Sequence, residues 1–222
     1  MMSNLFSIFD PSTTFFLSLN LCSTVIFLLF FPSLVMVMSS RYSSFYFGLL
    51  NYLKSEYLPL SLKVPYFVLF FVSLFMFIMF NNVLGLFPYI FTATSHMSFS
   101  LALALPLWLG LMFYGWSSNM YNLFAHLIPV GTPAVLVSFM VLIETVSNII
   151  RPGTLAIRLS ANMVAGHLLI TLLSSSTPIT PWGVLPLLVG AQLALSMLEI
   201  AVAMIQAYVF SILITLYTNE VI

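Results

Sequence analysis

Five ionisable side chains gather in the second half of a chain that otherwise has few: Glu144, Arg151, Arg158, His167 and Glu199. All five fall in two long apolar segments. An ionised group inside a bilayer costs about 2.5–3.5 kcal/mol on insertion scales, so each is a functional candidate from the outset. The set suits proton transfer. A guanidinium has a pKa above about 12 and stays charged, which makes Arg158 a fixed cation and not a relay. Imidazole and carboxylate groups take up and release protons near neutrality when their surroundings cooperate, and His167 and Glu199 are the groups to do so.

Helical spacing gives these residues a geometry. At about 100° per residue, Ala161, Asn162, Ala165 and Leu169 fall within about 60° of Arg158. Arg158 then projects from a face of small or slender side chains, which lets another helix come close. His167 lies about 180° round the helix and about 13 Å along its axis, so it looks into a different space. Glu199, Ala203, Gln206 and Phe210 share one face of the last segment, and Glu144 and Asn148 share a face one turn apart.

Structural roles compete with these. Arg158 could form an ion pair with Glu144 or Glu199, and Glu144 could balance Arg151 seven residues on. His167 could be an interhelical hydrogen-bonder, and Asn162 and Gln206 could be polar packing groups. His96 and His126 fall at loop or interface positions and are expected to be solvated. Arg151, before Pro152 and Gly153, is expected to cap a turn or meet lipid phosphate. Other chemistries lack their residues. Three isolated histidines give no paired haem ligands, and no H-x-x-x-H metal spacing occurs. Lys54 and Lys63 lie in no Gly-rich phosphate loop, and no nucleophile motif is present. No cofactor, metal or nucleic-acid partner is expected.

The elements that must hold these groups are membrane helices. Of 222 residues, 62% are hydrophobic and 5% charged, with five Lys+Arg against five Asp+Glu. A soluble domain carries roughly 25% charged residues, so this chain could not cover a water-facing surface. Charge is absent from Val64 to Ile143, from Leu159 to Leu198 and from Pro11 to Ser40. A crossing helix needs about 20 apolar residues, and the continuous runs lack the alternation of a β-barrel. The expected fold is an all-α integral membrane domain over 1–222, with about five membrane-embedded helices and one interfacial amphipathic helix.

Crossings are expected over 15–38, 66–91 and 97–115, with the amphipathic helix at 41–57 ended by Pro59. A long pair, 134–176 and 184–217, follows as a tilted hairpin, with a bend at Arg151-Pro152-Gly153. At ~1.5 Å per residue the last segment is about 51 Å long, beyond a ~30 Å hydrocarbon core, so it must break or tilt; tilt is favoured because no Gly or Pro follows Ala191. Cys22 has no partner for an internal disulfide. Asp10 is the only charge before Arg41, so no cleaved signal is expected and the first run should stay as an anchor. Arg41, Lys54 and Lys63 place the first linker on the cytoplasmic or matrix side, the N-terminus outside and the C-terminus inside.

Two stretches carry a resemblance: Arg158-Leu159-Ser160-Ala161-Asn162-Met163-Val164-Ala165-Gly166-His167-Leu168-Leu169, and Leu198-Glu199-Ile200-Ala201-Val202-Ala203-Met204-Ile205-Gln206-Ala207-Tyr208-Val209-Phe210. They resemble the signatures of the subunit a family of F-type ATP synthase, the stator proton channel. Histidine nine residues after the arginine, with glutamate in the last helix, looks like the mitochondrial form; bacterial relatives usually exchange an acidic residue and a histidine there. The abundance of Phe and Met suggests an organelle-encoded animal protein.

The resemblance implies two aqueous half-channels that do not meet, beside a rotating ring of hairpin subunits that each bear a membrane carboxylate. It implies proton-path roles for Arg158, His167, Glu199, Glu144, Asn162 and Gln206, Glu144 lining the outlet. It also implies other stator and membrane-sector subunits and lipid as partners, a place in the mitochondrial inner membrane, and no ATP chemistry on this chain. A secondary transporter, or another hydrophobic respiratory-chain subunit, is the rival; inverted repeats and half-helices, which mark many transporters, are not visible.

Overall fold

Long apolar runs in this chain become helices that bury one face and leave the other open. The computed structural model describes residues 5–12, 18–26, 28, 40–60, 65–118, 120–128, 133 and 136–221. Among them no strand occurs. The helices are α1 (Ser23–Ile26), α2 (Arg41–Leu60), α3 (Val68–Gly85), α4 (Met97–Ser118), α5 (Met120–His126), α6 (Val137–Ser176) and α7 (Leu185–Val221). Four stretches among the described residues are long and apolar enough to cross a membrane: Pro65–Gly85, Met97–Ser118, Val137–Ser176 and Leu185–Asn219. The crossing expected over 15–38 lies largely outside the described residues.

Side-chain pairs fix the arrangement. Asn162 meets Gln206, Gly166 meets Glu199, and Arg151 meets Tyr217, so α6 and α7 run antiparallel. Asn82 at the end of α3 reaches the Ala203 carbonyl, while Phe67 and Phe71 at its start lie near Ile214 and Thr218; α3 and α7 are antiparallel too. The core between them is built from Phe71, Met76 and Ile78 of α3, Leu159 of α6, and Ala207 and Phe210 of α7.

α3 ends at Gly85, short of the expected Phe91. Pro88 has no N–H to continue the ladder, Tyr89 turns the chain at φ 70, and the chain folds straight back: a Cβ on Gly85 would stand 2.7 Å from the Thr92 methyl. α4 extends to Ser118, three residues beyond the expected Gly115. α6 runs from Val137 and continues as hydrogen-bonded helix through Pro152, and its expected start at residue 134 lies outside the described residues. Pro152 is buried in a narrow cleft with Ala104, Leu107 and Leu111 of α4.

α7 has no break. Its 37 residues extend about 55 Å at ~1.5 Å each. α2 passes through Pro59 to Leu60 and turns Tyr46, Leu53 and Tyr57 into the core. Phe45 and Leu49 face outward. Tyr57 is fully buried with its hydroxyl 2.5 Å from Ser211 Oγ, and burial pushes the phenol up to about 12, so it stays protonated.

Candidate functional site

α6 divides cleanly into two faces. Leu155, Ala156, Leu159, Ser160 and Met163 are buried in the bundle. Arg158, Ala161, Asn162, Ala165 and Leu169 are all exposed, which makes the small-residue stripe around the arginine an open face of the chain. Arg158 forms no ion pair among the described residues. The alternatives of a bundle-internal pair with Glu144 or Glu199 are therefore not what the fold builds.

α7 turns its polar residues the other way. Glu199, Ala203, Gln206 and Phe210, one face by spacing, are all buried against α3 and α6. Asn162 Nδ2 donates to Gln206 Oε1 at 2.9 Å, tying the helices together one turn from Arg158. Gln206 thereby fixes the Asn162 amide beside the guanidinium.

One turn further towards the hairpin loop, the Glu199 carboxyl rests on Gly166, where an ideal Cβ would be 2.7 Å from Oε1. Glu199 is 8% exposed, and neither of its oxygens has a hydrogen-bond partner among the described residues. The same holds for His167 Nε2, next in sequence, whose ring meets Phe9 edge-on at 6.4 Å. Buried polar groups are otherwise paired or hydrated, so this cluster has unused hydrogen-bonding capacity that water could meet.

Towards the opposite end, Arg151 approaches Glu144 Oε1 at 3.4 Å and lies over the Tyr217 ring at 5.1 Å. The structural role weighed for Glu144 is thus the contact it makes, though both side chains keep 30–38% exposure. Arg151 joins a helix–helix contact and does not cap a turn, because α6 does not end there. At ~1.5 Å per residue, Arg158 stands about 13 Å from His167 and about 21 Å from Glu144 along the axis. The fold therefore places titratable groups on both sides of the Arg158 guanidinium along α6, not around it.

Two residues escaped sequence reasoning. Gly166 is one; its signal was a glycine in a helix interior, which costs about 1 kcal/mol relative to alanine and asks for a reason. His96 is the other. It stacks on Phe91 at 5.4 Å, and its Nε2 is buried without a partner among the described residues, so it is not the solvated loop histidine expected.

Comparisons with known proteins identify the family. A family profile described as ATP synthase A chain matches residues 15–219. The chain is 55% identical over 225 residues to "ATP synthase subunit a" of Drosophila yakuba, covering the whole of both chains. Proteins of the same name from Aedes aegypti and Anopheles gambiae are 55% and 53% identical, again over the full length of each. With most of its length inside the profile and full-length relatives above half identity, this chain belongs to the ATP synthase A chain family.

Proposed function

We propose that the chain is the proton-conducting stator subunit of an F-type ATP synthase, and that Arg158 separates two half-channels on either side of it. The observation that carries this is the exposure of Arg158 on a stripe of small residues, with no acid paired to it among the described residues. An unpaired guanidinium at a membrane-embedded surface is costly, and a carboxylate supplied by a neighbour removes the cost. The neighbour that fits is a ring of hairpin subunits, each carrying one membrane carboxylate.

The chemistry follows from the charge. A ring carboxylate facing Arg158 is held ionised, so a proton it carried is released. The same fixed cation repels any proton that would pass straight between the half-channels. His167 and Glu199 deliver protons on one side; Glu144 lines release on the other. Asn162, held by Gln206, orients the guanidinium or water beside it. Each proton crossing 100 mV delivers about 2.3 kcal/mol, so several must pass for each ATP.

The chain is a multi-pass membrane protein with mitochondrial relatives, and works with other ATP synthase subunits. Its N-terminus is assigned to the intermembrane space and its C-terminus to the matrix, with α2 at the interface and α6 and α7 inclined against the ring. Lys/Arg placement supports this orientation. The test is Arg158→Ala and Arg158→Lys in the assembled complex. Both are expected to abolish ATP-driven proton pumping while the complex still assembles; normal coupled pumping would refute the assignment.

A further inference from the structure

The unpartnered buried polar atoms among the described residues are not scattered. They are Asn82 Oδ1, Thr94 Oγ1, His96 Nε2, His167 Nε2 and both Glu199 oxygens. Asn82 closes α3, Thr94 and His96 lie in the loop that follows it, and that loop packs on α6, which carries His167. All belong to one end of the bundle. Buried polar groups left unpaired by protein are satisfied by water, and this row of them runs from a loop to the Glu199 carboxyl.

The N-terminal segment covers the outer end of that row. Asn20 Nδ2 donates to the Asp10 carbonyl at 3.3 Å, and Ser23 Oγ donates to the Phe91 carbonyl at 2.9 Å. Phe91 is the ring stacked on His96. From the other side of Asp10, Phe9 meets His167 at 6.4 Å. This part of the chain therefore meets His167 through Phe9, bonds through Ser23 the residue stacked on His96, and carries the exposed carboxylate of Asp10.

We propose that Asp10 and His96 form the outer mouth of the proton path that leads to His167 and Glu199, and that residues 5–12 and 18–26 hold this mouth in place. The assignment rests on the reading of the chain as a proton-conducting stator. His96 binds a proton from water on a ring nitrogen and passes one inward towards His167, returning to neutral with each proton transferred. Only N–H and O–H bonds are made and broken. Asp10 stays an anion: the Ser12 backbone N–H, then its hydroxyl, and more weakly the nearby His96 hold its carboxyl below the usual range. A fixed negative charge at a mouth raises the local proton concentration. Facing His96, the N-terminal segment brings Asp10 and α6 brings His167, while α3 and the first turns of α4 bring no ionisable group. Arg158, the next ionisable group along α6, is about 13 Å from His167.

The test uses the intact synthase in liposomes, with ATP synthesis driven by an imposed gradient. His96→Gln keeps a polar side chain but cannot carry the charge. It is expected to slow synthesis roughly tenfold, below the 10²-fold typical of a positioned proton donor because water also reaches the mouth. Imidazole added on the mouth side should restore much of the rate, which a merely structural loss would not allow. Asp10→Asn keeps the acceptor for Ser12 and is exposed, so it folds; its loss should be largest at the alkaline end of a scan from about pH 6 to 8, where protons are scarce.

Wild-type rates in both variants at every pH, or a His96→Gln defect that imidazole does not relieve, overturn the proposal. If His96→Gln does not assemble, Asp10→Asn decides alone. Arg158→Ala, run beside them, keeps the two readings apart. Loss of coupling there with normal rates in the mouth variants sinks only the mouth, whereas normal pumping by Arg158→Ala sinks the stator reading itself.

Discussion

The carboxyl group of Glu199 on α7 lies directly on Gly166 of α6, with Oε1 2.7 Å from the point where a Cβ would be attached. No other residue type lets the carboxylate rest there. The atoms in the way are the free end of a flexible side chain, so a methyl group would move the carboxylate and not the helices.

Gly166→Ala should therefore separate stability from transport. Alanine in a helix interior gains up to about 1 kcal/mol over glycine, so thermal stability of the complex is expected to hold or rise. Proton flux is expected to fall, because Glu199 is displaced from beside His167. Shortening the acid by one methylene in Gly166→Ala/Glu199→Asp should recover part of the flux, a non-additivity expected of residues in contact. Additive losses across the cycle would show that the contact has no bearing on transport.

His167 is the second point of test. Its Nε2 is buried with no partner among the described residues, so His167→Ala removes a group on which no interhelical hydrogen bond is seen to depend. Assembly should survive, and proton flux should slow. If flux is unchanged from about pH 6 to 8, where an imidazole changes charge, His167 is not on the path.

The parts of this arrangement that local spacing controls could be read from the residues. Apolar runs of crossing length in a chain with 5% charge make the all-helical membrane class legible. The 100° rule places Arg158, Ala161, Asn162, Ala165 and Leu169 on one side, and that side is the open one. It also groups Glu199, Ala203, Gln206 and Phe210, all buried together. What spacing cannot supply is which faces meet. The Asn162–Gln206 bond joins residues 44 apart in sequence, and the Glu199–Gly166 contact depends on helix registration. His96 sits in a polar loop and reads as solvated, and its stacking on Phe91 with a buried Nε2 appears only in the fold. The end of α3 is not legible in the sequence, because Leu86, Phe87, Ile90 and Phe91 keep the run apolar past the turn.

The Asn162–Gln206 pair makes its own prediction. Gln206 is buried and its Oε1 receives the Asn162 amide, so Gln206→Leu leaves that amide without its acceptor. Losing one such bond costs about 1 kcal/mol, too little to prevent assembly. Asn162 would then no longer be fixed one turn from Arg158. Coupling, measured as protons pumped per ATP hydrolysed, is expected to fall further than hydrolysis itself. Gln206→Glu, which keeps an acceptor oxygen in place, should fall less.

Glu144 and Arg151 offer the sharpest choice between a structural and a transport role. Their oxygen and nitrogen are 3.4 Å apart, and both side chains are about one-third exposed. A partly exposed pair contributes about 0.2–1 kcal/mol, so breaking it from either end should cost similar and small amounts of stability. Transport distinguishes the two ends. If Glu144 lines the outlet, Glu144→Gln removes a proton acceptor and slows ATP-driven pumping, whereas Arg151→Gln removes a fixed charge that carries no proton, together with its contact with Tyr217. Pumping rates in proteoliposomes, compared at matched assembly, check this. Equal and slight losses from both variants would leave Glu144 as the partner of Arg151 and nothing more.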